Sequence, residues 1–271
     1  MTVTAAVAQF AAGLDKDENL KRLVDGIRAG AERGAELVVT PEFGMYHDPH
    51  HVGDQSYPEP LDGPWLTAVR ACVRETGVYA VVGMAERTDG DRSYNTEVAL
   101  DPRGEIIGVY RKVHLYDAFG YRESDHVIPA DVVAPLTFTV GGLRFGVMTC
   151  YDLRFPESAR VLADAGADAI LVPAAWAVGP AKEDHWETLL RARAIENTSY
   201  VLAAGQTGPD CAGRSIVADP MGVVIAAAGE APGVAVATLD AARIATVRER
   251  NPALSLRRFR VVAAGDPDRL D

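Results

Sequence analysis

The chain has 271 residues, 48% of them apolar, and its 27 basic against 38 acidic residues give a formal net charge of -11. Such a chain buries a core without disulfide or metal staples, and its acidic balance excludes nucleic acid or an anionic membrane surface as a main partner, since both require a basic face. No apolar run reaches the roughly 18 residues of a spanning helix, and no basic segment precedes the first apolar run, so a cytoplasmic chain without a signal peptide is expected.

In chain order, Val3 to Gln9 reads as a strand. Leu20, Leu23, Val24 and Ile27 share one face of the helix that follows, with Asp15 and Glu18 placed for a capping box. Glu36 to Thr40 is a strand stopped by Pro41, and Asp62 with Pro64 opens a helix whose buried stripe is Trp65, Val69, Cys72 and Val73. Strands are predicted at Val78–Glu86, Thr96–Leu100 and Glu105–Leu115, the last two joined by the turn Asp101-Pro102-Arg103-Gly104. Next come a predicted strand at Leu143–Thr149, a helix from about Pro156, a strand at Ala169–Val172 before Pro173, and a helix at Lys182–Asn197. Strands near Tyr200–Gln206 and Arg214–Ala218, a hairpin, and a strand at Val234–Leu239 complete a layered α/β alternation. The stretch Arg250 to Arg260 is too irregular to predict a helix.

The order of elements repeats. Gly-Ala-Glu-Leu-Val-Val-Thr-Pro at 34–41 returns as Gly-Ala-Asp-Ala-Ile-Leu-Val-Pro at 166–173, Tyr79 opens a strand as Tyr200 does, and Asp101-Pro102-Arg103-Gly104 returns as Asp219-Pro220-Met221-Gly222. This predicts one domain, 1–271, built from two similar halves, each a sheet covered by helices, with the sheets face to face. The plainer alternative is that both strings are common α/β punctuation.

Cys150 ends an alternating strand just before a helix, the elbow where a side chain stands at a sheet edge beside forward-pointing N–H groups. Those groups and the helix dipole are expected to lower the thiol pKa and to hold an oxyanion; the alternative is a buried core thiol. Cys72 reads as core and Cys211 as an incidental loop thiol, and three scattered cysteines make neither a disulfide framework nor a zinc site. Glu42 follows a strand end, as either a site residue or a helix-cap acid. Lys112 shares a strand face with Tyr110 and His114; it either faces the interior with a counter-charge or reaches solvent from an edge. The loop His47-Asp48-Pro49-His50-His51 offers no regular face on which metal ligands converge.

Pro41-Glu42-Phe43, then Arg111-Lys112-Val113-His114-Leu115-Tyr116-Asp117, then Cys150-Tyr151-Asp152-Leu153-Arg154-Phe155-Pro156-Glu157 resemble in order three blocks of the nitrilase superfamily, the carbon–nitrogen hydrolases with a Glu-Lys-Cys triad. The similarity continues through Pro173-Ala174-Ala175-Trp176, His185-Trp186-Glu187, Arg191 to Asn197, Gly213-Arg214-Ser215 and Asp219-Pro220-Met221-Gly222, and so spans nearly the whole chain. It departs at Ala130, where relatives often have glycine after Pro129. The resemblance implies a four-layered α-β-β-α sandwich with internal pseudo-symmetry. It implies Cys150 as nucleophile, Glu42 as general base, and Lys112 with the Tyr151 backbone N–H as stabilisers of the tetrahedral intermediate. Glu123 matches a second glutamate that positions Lys112 and substrate. No metal or organic cofactor is implied.

True nitrilases usually follow the cysteine with Trp-Glu, whereas Tyr151-Asp152 with Arg154-Phe155-Pro156-Glu157 is similar to amidases acting on ω-amides of 2-oxo acids or on deaminated glutathione. The expected substrates are water and a small linear, carboxylate-bearing amide, with release of ammonia. N-carbamoyl amino acid hydrolysis, nitrile hydrolysis and a catalytically quiet binding role are the alternatives. Arg154 is a candidate contact for the substrate carboxylate, or else it pairs with Asp152 or Glu157 to brace the elbow. Tyr46, His47 and Trp176 are candidates for the pocket lining, and His114 and His185 read as hydrogen-bonded structural histidines. The resemblance also implies a homodimer or larger homo-oligomer, with the tail 250–271 reaching a neighbour.

Overall fold

The computed structural model describes residues 1–263 apart from 51, 54, 132 and 133. His51 and residues 264–271 of the tail therefore lie outside the described residues. The elements in order are β1 (Thr2–Gln9), α1 (Lys16–Glu32), β2 (Leu37–Val39), α2 (Pro64–Thr76), β3 (Tyr79–Glu86), β4 (Tyr94–Leu100) and β5 (Ile106–Arg111). A two-stranded ribbon, β6 (Asp117–Ala118) and β7 (Tyr121–Arg122), follows them. Then come β8 (Thr137–Val140), β9 (Leu143–Val147), α3 (Pro156–Asp164), β10 (Ala169–Ala174), α4 (Lys182–Asn197) and β11 (Tyr200–Gly205). The chain continues through β12 (Ile216–Ala218), β13 (Val224–Ala227), β14 (Gly233–Asp240) and α5 (Ala241–Arg250).

Two six-stranded sheets result, ordered β14-β1-β2-β3-β4-β5 and β13-β12-β11-β10-β9-β8. In each, three parallel strands, β1-β2-β3 and β9-β10-β11, are followed by an antiparallel pair. An antiparallel strand, β14 or β8, closes the other side. The D-P-x-G hairpins match as well. Gly104 N–H donates to the Asp101 carbonyl and Gly222 N–H to that of Asp219, both at 2.8 Å, with a bulge beside each turn. The predicted duplication is thus present in topology and register.

Three apolar layers hold the sandwich. Val3, Val7, Leu37, Val39, Phe145, Leu171 and Leu202 fill the space between the sheets. Leu23, Ile27, Leu66 and Val69 seat α1 and α2 on the first sheet, while Leu162, Trp186 and Leu190 seat α3 and α4 on the second. Each fully buried side chain of this size contributes about 1.5–3 kcal/mol. No helix among the described residues is long and apolar enough to cross a membrane.

Several elements differ from expectation. β10 runs through Pro173, because beyond Leu171 its β9 neighbour has turned away and no ladder partner there needs the missing N–H. The unpredicted β8 is joined to β9 by Gly141-Gly142, whose φ values of 55° and 87° meet the two positive angles that a tight hairpin demands. The unpredicted α5 is capped by Asp240, whose carboxylate accepts from Ala242 N–H, and it buries Ile244 and Val247. Asp15 caps α1 as expected, but Glu18 pairs with Lys21 rather than closing the box. Gly63, not Asp62, precedes α2, and the Glu59 carboxylate receives the Trp65 N–H in place of a cap. Past α5, the tail binds back through Arg257 to Asp164 and leaves Leu256 and Phe259 exposed.

Candidate active site

Glu42 leaves the end of β2 on a loop pressed against β3. A side chain at Gly83 would place its Cβ 2.8 Å from the Pro41 carbonyl oxygen and 2.9 Å from the Phe43 nitrogen, so only glycine lets the loop lie this close. The buried Glu42 carboxylate accepts from Asn95 Nδ2 at 2.7 Å and Lys112 Nζ at 2.8 Å through Oε1. Its Oε2 accepts from the Ala175 N–H at 2.6 Å. Gln206 Nε2 holds the Glu42 carbonyl oxygen at 2.9 Å. The helix-cap alternative for this acid is excluded, since its oxygens bind a lysine, an asparagine and a distant backbone N–H.

Lys112 is 2% exposed, so the solvent-reaching alternative fails as well. β5 ends at Arg111, one residue earlier, yet Lys112 N–H still donates to the Asn95 carbonyl at 2.9 Å and keeps the alternation. Its ammonium donates to Glu42 and to both oxygens of Glu123, at 3.1 and 2.9 Å. Asn95 Nδ2 bridges the same two glutamates, and Tyr116 N–H donates to Glu123 at 2.6 Å. Burial alone would lower the Lys112 pKa; the Glu123 and Glu42 carboxylates overcome it and hold the ammonium well above its ordinary range. The Ala130 N–H donates to the Lys112 carbonyl at 3.0 Å, so the loop that departs from the family pattern still closes on the lysine.

Cys150 sits at φ 46°, between β9 and α3, and opens a single 3-10 turn over Cys150–Arg154. Asp152 locks that turn: its carboxylate accepts from Thr149 N–H at 2.9 Å and Tyr110 OH at 2.6 Å, and meets His114 Nδ1 at 2.7 Å. Arg193 of α4 adds two bonds to the Leu153 carbonyl, at 3.1 and 2.9 Å. The Tyr151 N–H lies in the first turn, where helical geometry supplies no internal acceptor. The expected lowering of the thiol pKa does not occur. Burial, then the Glu42 charge, push the Cys150 thiol well above its ordinary value, and the Lys112 ammonium only partly opposes them. Resting Cys150 is therefore a thiol and not a thiolate.

These groups open on a cavity of about 650 Å³ whose lining includes Glu42, Lys112, Glu123, Cys150, Tyr151 and Arg154. Tyr46, stacked on Tyr57 with centroids 4.1 Å apart, and Trp176 form other parts of its wall. A family model for carbon-nitrogen hydrolases matches residues 4–249. The chain belongs to the carbon-nitrogen hydrolase family. It is an amidase of the nitrilase superfamily, and its buried Glu42–Lys112 pair and buried Cys150 are consistent with the superfamily's Glu-Lys-Cys triad. It is 38% identical over 255 residues to a deaminated glutathione amidase of Escherichia coli O157:H7, covering 94% of this chain and 97% of that one. Its fold matches the NitFhit protein of C. elegans with a TM-score of 0.86 at 29% identity, over 95% of this chain and 65% of that one. An amidase from Nesterenkonia sp. AN1, bearing the acetamide moiety of fluoroacetamide on its active site cysteine, matches with a TM-score of 0.79 at 29% identity, over 94% of each chain.

In this amidase the reading of Arg154 as a brace to Asp152 or Glu157 is overturned. Asp152 is occupied by Thr149, Tyr110 and His114, and Arg154 forms no ion pair among the described residues. Its guanidinium stacks 4.9 Å from the Trp176 ring centroid, with NH2 3.4 Å from His185 Nδ1 and a buried Nε that has no partner. Cys72 lies in the α2 core as read, whereas Cys211 is buried in the cavity wall, and burial pushes its thiol up to about 12. His47 also lines the cavity, its pKa lowered by burial, and His50 Nε2 lies 3.5 Å from Asp210. Sequence reasoning missed Asn95, the Ala175 N–H and the role of Asp152.

Proposed function

We propose that this amidase hydrolyses a small linear, carboxylate-bearing amide of the ω-amide or deaminated-glutathione type through a thioester on Cys150. Glu42 accepts the thiol proton as sulfur attacks the amide carbon, and the carbonyl electron pair moves onto oxygen. The Lys112 ammonium and the Tyr151 N–H stabilise that oxyanion. As it collapses, the C–N bond breaks and Glu42 returns the proton to the departing nitrogen, which leaves as ammonia from a primary amide. Water then adds to the thioester, giving a proton to Glu42. The S–C bond breaks, the acid is released, and the thiol is restored. Because the resting thiol is protonated, its deprotonation accompanies attack rather than preceding it. Lys112, held cationic by two carboxylates, acts as a fixed charge and not as a base.

The single observation that carries this reading is the bonding of Glu42: one oxygen fixed by Asn95 and Lys112, the other by the Ala175 N–H, on the cavity that Cys150 also lines. Substrate acidity is supported by Arg154, a cation in the cavity wall with no acidic partner among the described residues, and by the resemblance to a deaminated glutathione amidase. The test is ammonia release from ω-amides of 2-oxo dicarboxylic acids, assayed beside carbamoyl amino acids and nitriles. Activity is expected on the amides, with a loss of about 10³-fold or more in Cys150→Ala and in Glu42→Gln. Wild-type turnover in Cys150→Ala would overturn the mechanism, and faster turnover of a nitrile or carbamoyl compound would overturn the substrate class.

A further inference from the structure

Lys182, at the first turn of α4, has no part in the chemistry above, yet it is 5% exposed and lines the same cavity. Its ammonium lies 4.4 Å from the Tyr116 ring centroid, 4.5 Å from that of Phe119 and 5.9 Å from that of Trp176, and donates to Tyr116 OH at 2.5 Å. Arg154 faces two of those rings from the elbow side, 5.7 Å from Phe119 and 4.9 Å from Trp176. Two cations thus converge on one aromatic wall, and no carboxylate among the described residues forms an ion pair with either. Elsewhere in this chain a buried cation is matched by acids, as Lys112 is by Glu42 and Glu123. Like charges gathered in a half-dry cleft are unfavourable unless an anion joins them.

We propose that Lys182 is a specificity-determining residue that binds the substrate carboxylate together with Arg154, so that one carboxylate spans both cations while the amide carbon lies at Cys150. This rests on the amidase reading and adds to it the residue that selects acidic over neutral amides. Trp176 offers no second anion-binding route, since its Nε1–H is spent on the Lys182 carbonyl at 2.7 Å, so the two cations supply the positive charge of this wall.

The pH behaviour follows. Burial, and then the Arg154 charge, lower the Lys182 pKa. The other groups around it are Tyr116, Cys150, Cys211 and Glu183, and burial raises the pKa of the first three. Carboxylate binding therefore weakens as pH rises through the lowered lysine value, where Arg154 alone stays charged.

Succinamate and butyramide differ only by a carboxylate in place of a methyl group, and so isolate this contact. Lys182→Met is expected to lower the succinamate-to-butyramide ratio of kcat/KM by about 10- to 100-fold, mainly through the succinamate KM, the loss of one charge-assisted contact. Lys182→Arg should keep the ratio and abolish the alkaline rise in succinamate KM. Binding of succinate to the Cys150→Ala protein, followed by calorimetry, should weaken to the same degree in the double variant with Lys182→Met. A parallel fall on both amides, or an unchanged ratio, overturns the role of Lys182 and leaves the amidase reading standing. Failure of the wild-type protein to hydrolyse any amide overturns both.

Discussion

Two charged regions line the cavity that holds Cys150, and their accounts differ. Around Glu42, Lys112 and Glu123, one buried ammonium meets two carboxylates and Asn95 bridges both acids. Around Arg154 and Lys182, two cations share aromatic faces and have no acidic partner among the described residues. The first region is closed on itself, with all four oxygens of its two acids bonded to donors before anything enters, as preorganised electrostatic catalysis requires. The second is open, and a substrate carboxylate completes it. The sum also matters: a protonated Cys150 leaves the first region with one excess negative charge, and the two cations of the second keep an anionic substrate from meeting only repulsion.

Breaking the closed region carries the largest cost. Lys112→Met strands two buried carboxylates and is expected to destabilise the fold by about 3–5 kcal/mol while cutting kcat by 10²-fold or more. Denaturant titration and single-turnover kinetics would measure both, and full stability in that variant would contradict a tightly coupled cluster. Opening the second region further should act differently. Arg154→Met is expected to raise KM for acidic amides by about 10- to 100-fold yet cost at most about 1 kcal/mol of stability, since only ring contacts and a weak histidine contact are lost. A stability loss matching that of Lys112→Met would erase the contrast.

The smallest effect sharpens the comparison from a third carboxyl. Glu97 lies two residues along β4 from Asn95, on the inter-sheet face with Ala99, fully buried and with neither oxygen hydrogen-bonded. Burial, then the Glu42 charge, raise its pKa well above 4.5, so it stays neutral in the fold while the unfolded chain ionises it above about that pH. The sign follows: unfolding releases a proton, and stability contributed at this position falls as pH rises past 4.5. Glu97→Gln removes that slope. Urea midpoints of the two proteins should differ little near pH 4 and diverge in favour of the variant toward pH 8; a gap independent of pH would show that Glu97 is already ionised.

The strands and helices were largely legible because their apolar periods are local. β8 was missed because four residues give too short a period to read, and α5 because Ile244 and Val247 alone mark its buried face. Pro173 was misread as a stop because a proline's cost depends on whether a neighbouring strand is still there to be paired. At the site, Glu42, Lys112 and Cys150 were named from three spaced blocks, and Glu123 from a separate match to the family's second glutamate. The residues that hold them were not, since Asn95, Ala175 and Asp152 act through partners 28 to 133 positions away in sequence.

By itself the sequence determined the alternation of elements, their duplication and the residue types available for chemistry, all of which are written in short-range order. Tertiary structure alone decided the charge states and their neighbours. It raised rather than lowered the Cys150 thiol pKa, left Arg154 without an acidic partner among the described residues, and brought Lys182 to the same Trp176 ring. The reason is physical: periodicity depends on a few adjacent residues, whereas a proton's energy depends on distances and desolvation that exist only once two sheets have packed.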